Sequence, residues 1–279
     1  MNILRLCARE FAELMIPLRK TEALIKAYKN WFEENESELV SYFEGYMSDQ
    51  KSDWIRQKHR KKIQSLLSET SYGKCAYCER KPDEGGGNME VDHFYPKKTE
   101  AFKGRAFDFD NLLPACKQCN TAKGQRYENS EGNEIINPYN EINMAVHLSL
   151  DQKTMRLNGV SEKGKAAVCI LGKSLNTNSL IQGGRIAKGA MYKRAEIRKC
   201  VTRKLELSRK HKQHTDVLFD HLKGLLELIG KRRACTATFA TIILRHPVFK
   251  ELVEFVKASA PSKYQELAKL IREAKPFCL

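Results

Sequence analysis

The chain has 279 residues, 42% hydrophobic and 30% charged, which is enough apolar material for a core and too much for a disordered class. Its 49 Lys and Arg against 34 Asp and Glu leave a net charge of +15, which favours a polyanionic partner, with nucleic acid ahead of an anionic membrane surface. No run of roughly 18 apolar residues occurs, so no membrane-spanning helix is expected.

The first twenty residues are interrupted by Arg5, Arg9 and Glu10, and no secretory signal peptide is expected there. Four of the nine cysteines form two Cys-x-x-Cys pairs, a usage that fits a reducing, cytoplasmic compartment better than a disulfide framework. Cys7, Cys169, Cys200, Cys235 and Cys278 are scattered and read as small apolar residues.

Residues 1 to about 70 carry helical periodicity. Ala8–Met15 and Glu22–Met47 place apolar residues at mixed three and four spacing. Asp53–Glu69 repeats the pattern around a basic centre, Arg56, Lys58, Arg60, Lys61 and Lys62. That centre is either a solvated helix face or a phosphate-contacting one. Gly73 suits the left-handed turn that ends such a helix.

Cys75 and Cys78 then open a distinct block that closes after Cys116 and Cys119. Asp83–Asn88 reads as a loop. Met89–Phe94 alternates as a short strand that Pro96 stops, Phe107–Leu113 is a second strand or loop ending at Pro114, and Cys116–Gly124 turns into a short helix. Beyond Pro138, residues 140–160 suggest a small hairpin about Asp151-Gln152. From Leu180 the pattern is helical, with breaks near Pro247, Pro261 and Pro276. Residues 185–233 hold fifteen Lys and Arg against five Asp and Glu, so most of the net charge sits there.

Four cysteines in two such turns satisfy a closed tetrahedral zinc site at Cys75, Cys78, Cys116 and Cys119. A redox pair or an iron–sulfur cluster is the alternative. The 37 residues between Cys78 and Cys116 must form a structured insert, and that insert carries Asp92-His93. Neighbours on a strand point to opposite faces, so one can hold a metal while the other approaches substrate. Asn111 follows His93 after 17 residues and Asn120 follows Asn111 after eight, directly behind Cys119. Zinc would therefore fix Asn120 relative to the strand. Glu90 would share the face of Asp92, either supporting a metal or standing exposed.

The sequences VDHFYPK and NLLPACKQCNTAKG, followed by Asn137-Pro138, resemble the HNH nuclease motif of the ββα-metal fold, in the variant braced by four cysteines. The resemblance covers about 65 residues, Cys75 to Pro138. It implies a zinc-braced HNH domain at 71–145, and with the helical patterns on either side the chain reads as α+β, mostly α: a helical region 1–70, that domain, and a basic helical domain 146–279. It implies His93 as general base, Asp92 and Asn120 as ligands of one catalytic divalent ion, and Asn111 as the residue that pins the loop. Asn in place of the frequent third His suggests Mg²⁺ or Mn²⁺ beside the structural Zn²⁺.

The implied reaction is phosphodiester hydrolysis leaving a 5′-phosphate and a 3′-hydroxyl, with Lys97, Lys98 and Lys123 near enough in sequence to hold phosphates. DNA is the default substrate and RNA, including tRNA, the alternative. A non-catalytic zinc-knuckle binding module is the rival class. The layout also resembles the nuclease components of Septu-type and retron-associated anti-phage systems, which implies an ATPase partner.

Overall fold

The computed structural model describes residues 18–82, 88–141, 143–176, 179–182, 185–188, 190–230 and 236–279. The helix expected at Ala8–Met15 and most of the Asp83–Asn88 loop lie outside these. Among the described residues no helix is long and apolar enough to cross a membrane.

Among the described residues the N-terminal region holds two helices, α1 (Glu22–Met47) and α2 (Gln57–Ser71). Thr21 caps α1, its hydroxyl accepting from Leu24 N at 3.3 Å. Leu24, Tyr28, Leu39 and Phe43 form the buried stripe of α1. The helix expected from Asp53 starts later: Arg56 is the N-terminal cap of α2. Trp54 and Ile55 lie in the preceding loop, where both are buried. The α2 helix ends with Tyr72 and Gly73 both at positive φ, 55° and 75°.

Strands β1 (Met89–His93) and β2 (Leu112–Cys116) pair antiparallel, with Val91 opposite Pro114 and His93 opposite Leu112. Pro114 tolerates this two-stranded sheet because it has no N–H to place. Its carbonyl accepts from Ala76 N at 2.7 Å, tying the first cysteine turn to β2. The seven-residue helix α3 (Lys117–Lys123) follows β2 directly, and Gly124, at φ 57°, ends it.

The hairpin expected at 140–160 is β3 (Leu148–Asp151) with β4 (Arg156–Gly159), followed by α4 (Glu162–Leu175). Where a helical pattern was expected from Leu180, the chain first makes a hairpin, β5 (Ser179–Gln182) with β6 (Arg185–Lys188). Ser-Leu-Ile-Gln and Arg-Ile-Ala-Lys flank Gly183-Gly184, and two glycines between short apolar runs are a hairpin signal that overrides the helical period. Among the described residues, five α-helices follow: α5 (Ala190–Lys210), α6 (Thr215–Leu226), α7 (Thr236–Arg245), α8 (Pro247–Ser259) and α9 (Pro261–Ala274). Pro247 and Pro261 start their helices, where a missing N–H costs nothing.

Two apolar cores result. The smaller joins α1 and α2 to Val91, Phe109 and Leu112. The larger joins the cysteine turns and Leu113 and Ala115 of β2 to β3, β4 and the C-terminal helices. Alternation along β2 thus sends Leu112 to one core and Leu113 to the other. The β1–β2 hairpin is the partition between them, so both flanks fix the site it carries.

Candidate active site and metal centre

The four cysteines meet as the sequence spacing requires. The sulfurs of Cys75, Cys78, Cys116 and Cys119 all lie within 4.8 Å of one another, and all four residues are buried. The first pair sits in a tight turn, with Glu79 N donating to Cys75 O at 2.9 Å and Cys75 N to Arg80 O at 2.8 Å. The second pair spans the start of α3, where Cys116 is the cap and Cys119 is buried in the first turn.

Hydrogen bonds from Cys119, Cys75 and Cys78 hold the Cys116 thiol far below its ordinary value. The same sharing, through Cys116, holds Cys78 and Cys119 well above theirs. A buried dication relieves that crowding by letting every sulfur ionise, and four thiolates suit Zn²⁺. Ser174 of α4 places its Oγ 3.4 Å from Cys119 Sγ, a contact beyond the four ligands. Lys74 and Glu79 form a buried pair at 3.8 Å, and the Glu79 carboxylate accepts from Ala237 N of α7 at 3.4 Å. The turn is thereby joined to the C-terminal helices.

Asp92 and His93 leave β1 in opposite directions. Asp92 faces α3 and the cysteine turn. Its Oδ2 accepts from the Tyr77 hydroxyl at 2.5 Å, and its Oδ1 lies 3.3 Å from Lys123 Nζ. Burial raises the Asp92 carboxyl, while the Lys123 charge and the Tyr77 hydrogen bond oppose the rise. Lys123 is fully buried and also donates to His93 O at 2.6 Å. The expectation that Lys123 holds a substrate phosphate is corrected here. Docking α3 on β1 turns its side chain inward, where it balances a carboxylate.

Glu90, two residues before Asp92, accepts from Asn120 Nδ2 at 2.7 Å. Asn120 and Lys123, three apart on a helix, therefore meet Glu90 and Asp92, two apart on a strand. Because the carboxylate of Glu90 can only accept, it takes the amide nitrogen of Asn120, and the amide oxygen is left as an acceptor. Glu90, Asp92 and the amide of Asn120 offer oxygen donors of the kind that a hard divalent ion takes.

His93 faces the N-terminal region and is 4% exposed. Its Nε2 lies 3.0 Å from the carbonyl oxygen of Ala106. A carbonyl only accepts, so Nε2 carries the hydrogen and Nδ1 keeps the basic lone pair. Burial, reinforced by the charge of Lys97, holds the imidazole well below its ordinary value, so the ring is neutral near pH 7. The ring of Trp54 meets it edge-on, with centroids 4.6 Å apart.

Asn111 is fully buried and closes the loop behind β1. Its Oδ1 accepts from Tyr95 N at 2.7 Å, and its Nδ2 donates to Tyr95 O and Arg105 O, both at 3.0 Å. Lys97 is half-buried and Lys98 exposed. The sequence did not single out Tyr77 or Trp54, and it left Glu90 either supporting a metal or standing exposed. Only the strand period, which puts Glu90 beside Asp92, signalled any of the three.

Residues 75–126 match the family model described as HNH endonuclease. The chain is 38% identical over 109 residues to the Septu protein PtuB of Bacillus thuringiensis, a match covering 39% of this chain and 40% of that protein. No solved structure matches. The chain thus spans less than half the length of the curated relative it matches. What it carries is an HNH endonuclease domain, a nuclease unit for phosphodiester bonds, enclosing a four-cysteine cluster fit for zinc and similar to part of PtuB.

Proposed function

We propose that the whole chain is a metal-dependent HNH endonuclease, organised as a helical region 1–70, a nuclease domain 71–145 and a basic helical domain 146–279. The observation that carries this reading is the matched pair of contacts from α3 to β1, Asn120 to Glu90 and Lys123 to Asp92. Both contacts join α3 to the same side of β1, and His93 meets Ala106 on the other side, which supports a role for Asp92 and Asn120 at an ion and for His93 at a water.

In this reading His93 takes the proton of the attacking water at Nδ1, since Nε2 is held by Ala106. Asn111 keeps the loop closed so that the ring stays aimed. Asp92 and Asn120 hold the divalent ion, with Glu90 orienting the Asn120 amide and Tyr77 and Lys123 orienting Asp92. That ion, Mg²⁺ or Mn²⁺, supplies charge neutralisation at the phosphate and the leaving oxygen when bound. The cysteine cluster holds Zn²⁺ as a brace.

The similarity to PtuB and the excess of positive charge in residues 185–233 support action on nucleic acid within a Septu-type defence system, and an ATPase partner is a further part of this proposal. DNA is the first substrate to test and RNA the second. Incubating the purified chain and Mg²⁺ or Mn²⁺ with plasmid, single-stranded DNA and total RNA tests the reading directly. Cleavage of any of the three supports it, and binding without cleavage of all three favours a non-catalytic zinc-knuckle module.

A further inference from the structure

The tyrosines of α1 take no part in the chemistry above, yet the fold aligns them with it. Tyr42 and Tyr46 are four residues apart on α1 and both are half-buried. Lys97 lies near the rings of both Tyr46 and Trp54, and the ring of Trp54 stands at 82° to that of His93. Cations lie over each ring. Arg56 is 5.3 Å and Lys51 5.9 Å from the centre of Tyr42. Lys98 is 4.7 Å and Lys97 5.9 Å from Tyr46, and Lys97 is 5.5 Å from Trp54. Neighbouring acids hold some of these side chains at the surface, Asp49 at 3.7 Å from Lys98 and Glu38 at 3.2 Å from Arg56. Exposed pairs of that kind are weak and yield to a phosphate.

We propose that this row is a track for single-stranded nucleic acid leading to His93. Bases stack on Tyr42 and Tyr46, the phosphates take Lys51, Arg56, Lys97 and Lys98 off the rings, and Trp54 walls the inner end. The inference rests on the nuclease reading of the site, because the row ends at its base. Ring faces interleaved with cations are the means by which proteins hold unpaired strands, since every base has a face to stack.

A duplex has no use for such a row, because its bases are stacked on one another. Spacing makes the same distinction. Tyr42 and Tyr46 are one helical turn, about 6 Å, apart along α1. Bases in a duplex strand are about 3.4 Å apart. One base per ring therefore needs a strand drawn out of its stack.

The test is fluorescence anisotropy on the full chain, without added divalent ion. The probes are labelled single-stranded DNA, single-stranded RNA and duplex DNA of equal length. The double variant Tyr42→Leu/Tyr46→Leu is expected to lose about tenfold in affinity for a single strand and to keep its duplex affinity within about twofold. Tyr42→Phe/Tyr46→Phe, which keeps the rings, is expected to bind as the native chain does. Loss on one single strand and not the other supports the track and identifies its sugar. Equal loss on duplex and single strands, no loss at all, or a Phe variant as weak as the Leu variant overturns the proposal. Cleavage by the native chain with Mg²⁺, run in parallel, reports on the nuclease reading separately. Strand-selective binding without cleavage would remove that reading and leave the track.

Discussion

Tyr77, inside the first Cys-x-x-Cys turn, donates a 2.5 Å hydrogen bond to Asp92 on the nuclease strand. One side chain thus connects the two metal centres proposed for this chain. Burial and the Asp92 charge hold its hydroxyl well above the ordinary tyrosine value, so it stays a donor. Tyr77→Phe removes that donor and leaves one carboxylate oxygen buried without it. A loss of about 1–3 kcal/mol in unfolding free energy is expected. Zinc content should be unchanged and divalent-dependent cleavage reduced, as measured by denaturant titration, metal analysis and initial rates.

Lys123 gives a large stability effect. It is fully buried against Asp92, and removing one member of a buried pair leaves an uncompensated charge. Lys123→Met is expected to cost about 3–5 kcal/mol. Adding Asp92→Asn should recover part of that loss, because the second change removes the stranded charge. Denaturant melts of the two single variants and the double variant check this, and simple additivity would show that the pair is not coupled.

Zinc removal separates the brace from the chemistry. Cys78→Ser, or chelation of the native chain, is expected to lower the melting temperature sharply, because the cluster ties α3 to the first cysteine turn. Restoring Zn²⁺ to the chelated chain should restore the melt, whereas Mg²⁺ should not. An unchanged melt in a zinc-free chain would deny the cluster its structural role.

Lys97 gives a pH signature. Burial lowers its pKa from 10.5 to about 8, with the Asp92 charge opposing the shift. Its positive charge, and with it the proposed phosphate contact, is lost as pH rises through about 8. Nucleic-acid affinity without added divalent ion should fall across that range, and Lys97→Arg should flatten the fall, since arginine keeps its charge. The sign for stability is opposite. Between about pH 8 and 10.5 the unfolded chain holds a proton that the folded chain has released, so this residue's contribution to stability rises with pH in that window.

The nuclease block was legible because its chemistry is local in sequence. Two Cys-x-x-Cys turns define one cluster whatever lies between them, and period-two alternation alone separates Asp92 from His93. What escaped depends on docking. The inward side of Lys123 is set only when α3 packs on β1, and seven residues carry too little periodicity to announce it. Trp54 looked like part of a helical stripe. It lies instead in the loop before α2, buried against a histidine 39 residues along the chain. The β5–β6 hairpin was hidden because its strands are only four residues each and the helical pattern of α5 begins directly after them.

The most direct test of the account is the rate of nucleic-acid cleavage by His93→Ala against the native chain, at matched zinc content and saturating Mg²⁺ or Mn²⁺. The account predicts a folded, zinc-loaded variant with a modestly lower melt and cleavage reduced by at least about 10²-fold, the usual contribution of a positioned general base. Native-like cleavage by His93→Ala would contradict it.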